Sequence, residues 1–273
     1  MPDAVGTVKR FAGSVAQGEG RIAQSEGFLA DEEADVRRQL PASLPLSRVL
    51  LLHAAPLAAM GRYEAAAQAL GEAWRLWQAA SGEGVDPAAG NRYPIERARL
   101  ALARGDASAA EAALVQVVPP ANAALLPMQL DQACADVLLA QARLQQQRPA
   151  EALLLAQRVL SAMRASPVRA RFARLEAEAA LRLGQALLRG GDARAARAAL
   201  EQAVALRQAS EAPGSPWLAE VQVALAESLL KLGDAKAARM LVDKAQAIHA
   251  ANVELGLHFK APLARLSEPL AQR

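Results

Sequence analysis

Apolar and polar positions along the chain follow a helical period, and the same pattern returns at a nearly fixed distance. Alanine and leucine recur three or four residues apart within each stretch, which predicts amphipathic α-helices. The pattern restarts at intervals of 44, 42, 44 and 42 residues, at Gly61, Gly105, Gln147, Gly191 and Gly233. Repetition with a period of about 20 to 50 residues is typical of solenoid proteins.

Each repeat predicts a helical hairpin, because apolar residues at helical spacing lie on both sides of the restart point. Glycine at four of the five turns predicts a left-handed residue that ends the first helix. Gln147 takes this place in the third repeat, so we expect a strained or reshaped turn there. Pro56 lies inside the first helix of the first repeat, where we expect a kink or a late helix start.

Small residues lie five positions after each turn, and larger apolar residues lie four positions further on. These positions share one face of the second helix, so they predict the seam where the two helices of a hairpin cross. The small residues are Ala66, Ala110, Ala152, Ala196 and Ala238, the larger ones are Leu70, Leu114, Leu200 and Val242, and Ala73, Val117, Ala203 and Ala245 continue the seam.

In the fourth repeat this layout resembles the tetratricopeptide repeat. The matching residues are Leu183, Gly184, Leu187, Gly191, Ala196, Leu200 and Ala203, with leucine where the family often has tyrosine. The resemblance implies an all-α fold, an α-solenoid that forms a right-handed superhelix of tetratricopeptide-like hairpins. The long period, with breaks such as 214–217, is similar to that of kinesin-light-chain repeats, and similar arrays occur in bacterial signalling proteins.

The repeats define the expected domain organisation. Residues 47–252 hold five repeats that start near residues 47, 91, 133, 177 and 219. In residues 1–46, an N-terminal helical segment, Gly18, Ala23 and Ala30 fall near the repeat offsets and indicate a degenerate sixth repeat. Apolar residues in 253–273 predict a terminal helix that caps the exposed end of the stack.

Composition, net charge and the cysteine count exclude several classes of function. The chain is 53% hydrophobic but only 3% aromatic, which fits thin helical layers rich in alanine. The formal net charge of +3 is too small to argue for nucleic acid, although Arg164, Arg169, Arg171 and Arg174 form a local basic patch. A single cysteine excludes an intramolecular disulfide and a cysteine-based zinc site. No apolar run predicts a signal peptide or a membrane span, so we expect a cytoplasmic protein.

Candidate reaction centres are missing from the sequence. His53, His249 and His258 lie far apart in the repeat order, and no phosphate-binding or metalloprotease motif occurs. We therefore expect no enzyme activity, no bound metal and no cofactor. Trp74 and Trp77 lie three residues apart on a second helix, where they either stack on a ligand or pack between adjacent repeats.

The resemblance implies that the first helices line a concave groove that binds a partner. Carried over by offset, the groove residues are Leu51, Ile95, Arg99, Leu102, Val137, Gln141, Leu144, Leu181, Gln185, Leu188, Arg189, Val223, Glu227 and Leu230. An apolar floor with walls of mixed charge suits an amphipathic helix or an extended peptide. The alternative is that one apolar row packs within the hairpins.

These observations favour a non-enzymatic scaffold that binds a protein or peptide, in bacterial signalling or regulation. The alternative is a sensor module for a small molecule or signalling peptide, within a larger regulator or kinase. A third hypothesis is nucleic-acid binding through the basic patch, which has only Phe172 available for base stacking.

Overall fold

The structure, a computed structural model, describes residues 3–81, 87–118, 126–167 and 169–271. Within these ranges the chain is helical and contains no strand, which confirms the predicted all-α class. None of the described helices is long and apolar enough to cross a lipid bilayer. The chain divides into two compact units, Met1–Gln132 and Ala133–Arg273.

The first unit contains three helical hairpins and the start of a further helix. In each hairpin the two consecutive helices pack against each other. The helices are α1 (Asp3–Gly18), α2 (Ile22–Gln39), α3 (Leu44–Ala59), α4 (Tyr63–Ala80), α5 (Arg92–Ala103), α6 (Ala107–Leu114) and α7 (Leu126–Gln145), and a short 3-10 helix, Pro87–Gly90, precedes α5.

The second unit begins within α7 and continues with six more helices. Ala140 and Leu144 of α7 share a buried cluster with Ala152 of α8, and the later helices pair as α9 with α10 and α11 with α12. The helices are α8 (Pro149–Ala165), α9 (Ala173–Arg189), α10 (Ala193–Ser210), α11 (Pro216–Lys231), α12 (Ala235–Ala251) and α13 (Leu257–Ala271), and the 3-10 helix Arg169–Phe172 precedes α9.

The turns of the hairpins all have the same hydrogen bonds. The N–H of the turn residue donates to the carbonyl three residues earlier at 3.0–3.2 Å, and the next N–H donates to the carbonyl five residues earlier at 2.8–3.0 Å. This pattern ends a helix in a left-handed residue. The turn residues and their φ angles are Gly20 (80°), Gly61 (74°), Gly105 (80°), Gln147 (61°), Gly191 (92°) and Gly233 (85°).

Two predictions about the turns can therefore be judged. The left-handed conformation predicted for the glycine turns is confirmed. Gln147 adopts the same conformation without the help of glycine, so this turn is strained but keeps the common hydrogen bonds. Aspartate follows three of the glycines and caps the second helix, because each Oδ1 accepts a backbone N–H at 2.9–3.0 Å: Asp106, Asp192 and Asp234.

The predicted seam of each hairpin is confirmed with one exception. The five small residues that follow the turns are all 0% exposed, and the four larger residues beyond them are buried. Val117 is only half-buried, because α6 ends at Leu114 and the seam does not extend further in that hairpin.

The N-terminal hairpin keeps the same offsets, but counted from Gly20 rather than from Gly18. Ser25 lies five residues after Gly20, is 0% exposed, and donates a hydrogen bond from Oγ to the carbonyl of Gly13 at 2.9 Å. Leu29 packs so closely on Gly13 that a Cβ built there would lie 2.7 Å from Leu29 Cγ. The expected register of this segment is thus corrected by two residues.

One expectation about the other helices needs correction. Pro56 does not delay α3, which begins at Leu44 with the Oγ of Ser43 accepting the N–H of Leu46 at 3.3 Å. At the C-terminus, α13 packs on α11 and α12 and buries Phe259, whose ring meets the edge of Trp217 at 6.5 Å.

Candidate functional site

The structure divides the residues predicted for the groove into a buried group and an accessible group. Six apolar residues are only 0–6% exposed: Ile95, Leu102, Val137, Leu144, Leu181 and Val223. Val137, Leu181 and Val223 belong to the main hydrophobic core of the second unit. For these six the expectation of a ligand-facing row is corrected, because their side of the first helix packs against neighbouring helices.

The accessible group is mostly polar. Three leucines, one arginine and two glutamines are half-buried: Leu51, Leu188, Leu230, Arg99, Gln141 and Gln185. The two remaining residues, Arg189 and Glu227, are exposed. The face left open by the first helices therefore carries amides and charges with isolated leucines rather than a continuous apolar floor.

In the second unit, two arginines of α9 connect it to the neighbouring first helices. Arg189 Nη1 donates at 3.3 Å to the carbonyl of Leu144, in α7, and at 3.3 Å to Oε1 of Gln147. Arg182 Nη1 donates to Oε1 of Gln185 at 3.0 Å and to Oε1 of Glu220, in α11, at 3.1 Å. α7, α9 and α11 thus lie side by side.

This arrangement places residues of equal offset in one row. Gln141, Gln185 and Glu227 each lie six residues before the turn of their hairpin and are accessible. Arg182 lies beside this row but is itself only 5% exposed. Repeat offsets do not reveal the role of Arg182, because its contact with Glu220 joins residues 38 positions apart.

The first helices of the first unit carry a smaller polar group. Arg99 Nε lies 3.4 Å from Glu96 Oε2, and Arg92 lies 3.8 Å from the other oxygen of Glu96. Burial raises the pKa of Asp131, and the charge of Arg92 opposes that rise. Glu96 therefore lies beside two of the three arginines of α5, Arg92 and Arg99.

The histidines lie in separate surroundings. His53 Nδ1 is 2.7 Å from Oε2 of Glu33, and this hydrogen bond, together with Arg37, lowers the pKa of Glu33. Burial lowers the pKa values of His249 and His258. In the described part of the chain no three His, Cys, Asp or Glu side chains are placed to hold a metal ion.

The two neighbouring tryptophans pack between hairpins. Their rings are stacked with centroids 5.1 Å apart, and both lie within 5.6 Å of the ring of Tyr93 in α5. Tyr93 also shares a 2.8 Å hydrogen bond with Ser47, and burial raises its pKa. Of the two interpretations of Trp74 and Trp77, packing is therefore confirmed, and the contribution of Tyr93 was missed by the sequence.

An ion pair with Glu176 partly neutralises one of the four arginines of the basic patch, Arg169. Arg169 Nε donates to Oε2 of Glu176 at 2.7 Å, which raises the pKa of Arg169. Glu176 is 1% exposed and also accepts a hydrogen bond from Gln202. Arg164, Arg171 and Arg174 remain exposed. One of the four arginines thus stabilises the hairpin α9–α10.

Comparison with known proteins identifies the repeats. The tetratricopeptide repeat family model matches residues 175–251, which cover nearly all of α9 to α12. These residues are therefore similar to tetratricopeptide repeats. No curated protein matches the chain.

Solved structures with the same fold extend over most of the chain. BtubC (BKLC) from P. vanneervenii is 18% identical, with 87% of this chain and 91% of that chain covered and a TM-score of 0.54. A Rap protein complexed with Competence and Sporulation Factor is 11% identical, covers 96% and 80%, and has a TM-score of 0.58. PilW, a type IV pilus biogenesis factor, is 14% identical, covers 96% and 99%, and has a TM-score of 0.53. The predicted fold of tetratricopeptide-like hairpins is confirmed.

Proposed function

We propose that the protein is a non-enzymatic scaffold that binds a protein or peptide segment on the first helices of its second unit. The observation that carries this proposal is the accessible row Gln141, Gln185 and Glu227 on three adjacent helices. Arg182 and Arg189 join these helices and so hold the row in a fixed spacing. A preformed surface of this kind loses little entropy on binding.

The chemistry of this surface favours a ligand with alternating polar and apolar side chains. The glutamine amides can both donate and accept hydrogen bonds, as a peptide backbone requires. Leu188 and Leu230 are half-buried and offer apolar contacts close to the amides. An extended peptide or one face of an amphipathic helix satisfies both properties.

Similarity to the Rap complex supports a peptide ligand. That structure holds a Rap protein with Competence and Sporulation Factor, and it has the same fold as this chain. We propose that the protein acts in bacterial signalling or regulation and that it is cytoplasmic.

Selection of peptides on the immobilised full chain tests the proposal. Peptides from a random library are enriched, synthesised with a fluorophore, and titrated with the protein by fluorescence anisotropy. The double variant Leu188→Gln/Leu230→Gln is expected to bind about tenfold more weakly, since it removes the apolar contacts of the row.

A matched control changes exposed apolar residues on second helices. Leu154 in α8 and Met240 in α12 are 66% and 56% exposed, so Leu154→Gln/Met240→Gln should leave the affinity unchanged. Circular dichroism confirms that both variants remain helical. Equal affinity of the selected peptides for both double variants, or failure to enrich any peptide, would rule the surface out.

A further inference from the structure

A cavity of about 400 Å³ lies in the first unit between α4 and the hairpin α5–α6. Its floor is apolar and consists of Leu70, Leu100 and Ala101, all of which are buried. The side chain of Trp74 lines one wall. Small-molecule sites in proteins typically measure about 300 to 1,000 Å³ and combine such an apolar lining with a few polar groups.

Small residues of α4 and α6 border the cavity. Gly71 of α4 borders it, and a Cβ built there would meet no atom within 4 Å. From α6 only Ala109 and Ala113 line it, and α6 ends after 8 residues whereas α10 has 18. Gly71, Ala109 and Ala113 therefore occupy little of the space beside the apolar floor.

Positive charge borders this apolar space. Arg97 and Arg104 both line the cavity together with one acidic residue, Asp106. The carboxylate of Asp106 is engaged as the cap of α6, where its Oδ1 accepts the N–H of Ala109 at 2.9 Å. Arg104 pairs with Glu64, so Arg97 is the guanidinium best placed to receive an anion.

We propose that this cavity binds a small aromatic carboxylate. The ring of the ligand lies against Trp74 and the apolar floor, and its carboxylate pairs with Arg97. Planar guanidinium groups match carboxylates, and aromatic side chains favour contact with another ring. The site is independent of the peptide surface, because it is built from α4, α5 and α6 of the first unit. It gives that unit the small-molecule sensing role that the sequence had offered as an alternative.

Isothermal titration of the full chain with 2-naphthoate tests this site. We expect one molecule bound per chain, and at least tenfold weaker binding of the neutral analogue 2-naphthylmethanol, as loss of a charge-assisted hydrogen bond implies. Arg97→Gln should reduce the affinity for 2-naphthoate by about the same factor while leaving that for the alcohol unchanged.

A variant that fills the cavity tests the site directly, and the same substitution outside the cavity serves as its control. Gly71→Leu places a side chain in the empty space and should lower the affinity for 2-naphthoate more than tenfold. Gly27 of α2 is also an exposed helical glycine with no atom within 4 Å of a built Cβ, and it does not line the cavity, so Gly27→Leu should bind normally. Both changes replace glycine within a helix and should preserve folding.

Three results would overturn the proposal. The first is no binding of 2-naphthoate to the unmodified chain at millimolar concentration. The second is normal binding by Gly71→Leu, which would place the probe elsewhere. The third is equal affinity for 2-naphthoate and 2-naphthylmethanol, which would show that the site does not recognise a carboxylate.

Discussion

Two glycines inside helices have opposite surroundings in the two units. Gly184 of α9 is buried, and a Cβ built there would lie 2.5 Å from Leu200 Cγ in α10. Gly71 of α4 is exposed, and a Cβ built there would meet nothing within 4 Å. The first glycine permits close approach of two helices, whereas the second leaves a cavity beside its helix.

The difference shows that the structural role of a glycine within a helix depends on the residues around it. Both residues lower the intrinsic stability of their helix by about 1 kcal/mol relative to alanine. At Gly184 the seam with Leu200 compensates, since the leucine is 0% exposed. At Gly71 no described residue makes a close contact that would offset the lower helix stability. We therefore considered a ligand at this place.

The largest expected effect comes from placing the same side chain at both glycines. Gly184→Val should lower the free energy of unfolding by about 3 kcal/mol, because the new side chain overlaps Leu200. Gly71→Val should change it by less than about 0.5 kcal/mol, because the site is open. Urea denaturation followed by circular dichroism measures both.

A double-mutant cycle sharpens this test. Leu200→Ala makes room at the seam, so Gly184→Val should cost at least about 1 kcal/mol less in that background than in the unmodified chain. Two results would contradict this account of the seam. One is an equal loss of unfolding free energy for Gly184→Val and Gly71→Val, and the other is full additivity of Gly184→Val with Leu200→Ala.

A smaller effect is expected at the left-handed turn of Gln147. Gln147→Gly should stabilise the second unit by about 0.5–1 kcal/mol, since a left-handed non-glycine residue costs about 1–2 kcal/mol and glycine loses more entropy on folding. The neighbouring change Gln146→Gly has no such strain to relieve and should destabilise. Chemical denaturation distinguishes them, and stabilisation by both would refute the assignment of strain to Gln147.

The smallest effect concerns pH. Burial lowers the pKa values of His249 and His258, so the unfolded chain takes up protons near pH 6.5 that the folded chain does not. Stability should therefore fall as pH decreases from 7 to 5. His249→Gln/His258→Gln should flatten this slope in thermal melts, and an unchanged slope in the double variant would contradict the account.

The sequence predicted the parts of the fold that local chemistry determines. A left-handed glycine and the small residue five positions later both act within one hairpin. The aspartate that follows three of the glycines also acts locally, but its capping role was not predicted. The register of α1 and α2 was missed by two residues, because both Gly18 and Gly20 could end a helix. The left-handed conformation of Gly20 and the contact of Leu29 with Gly13 distinguish them.

The candidate sites were harder to predict because they depend on contacts between hairpins. Offsets alone placed Val137 and Leu181 on an open face, although packing of neighbouring helices leaves both 0% exposed. The role of Arg182 depends on a hydrogen bond to a residue 38 positions away. The cavity beside Trp74 lies between α4 and the hairpin α5–α6, so the pattern within one helix does not reveal it.

The hydrogen bonds that shape each turn join residues no more than five positions apart. The backbone hydrogen bonds that make the bend of such a hairpin therefore lie within its own sequence. Gene duplication can therefore insert or delete one hairpin as a complete cassette. Substitutions on the exposed faces can then change the ligand that each copy binds, while the turns of the hairpins stay the same.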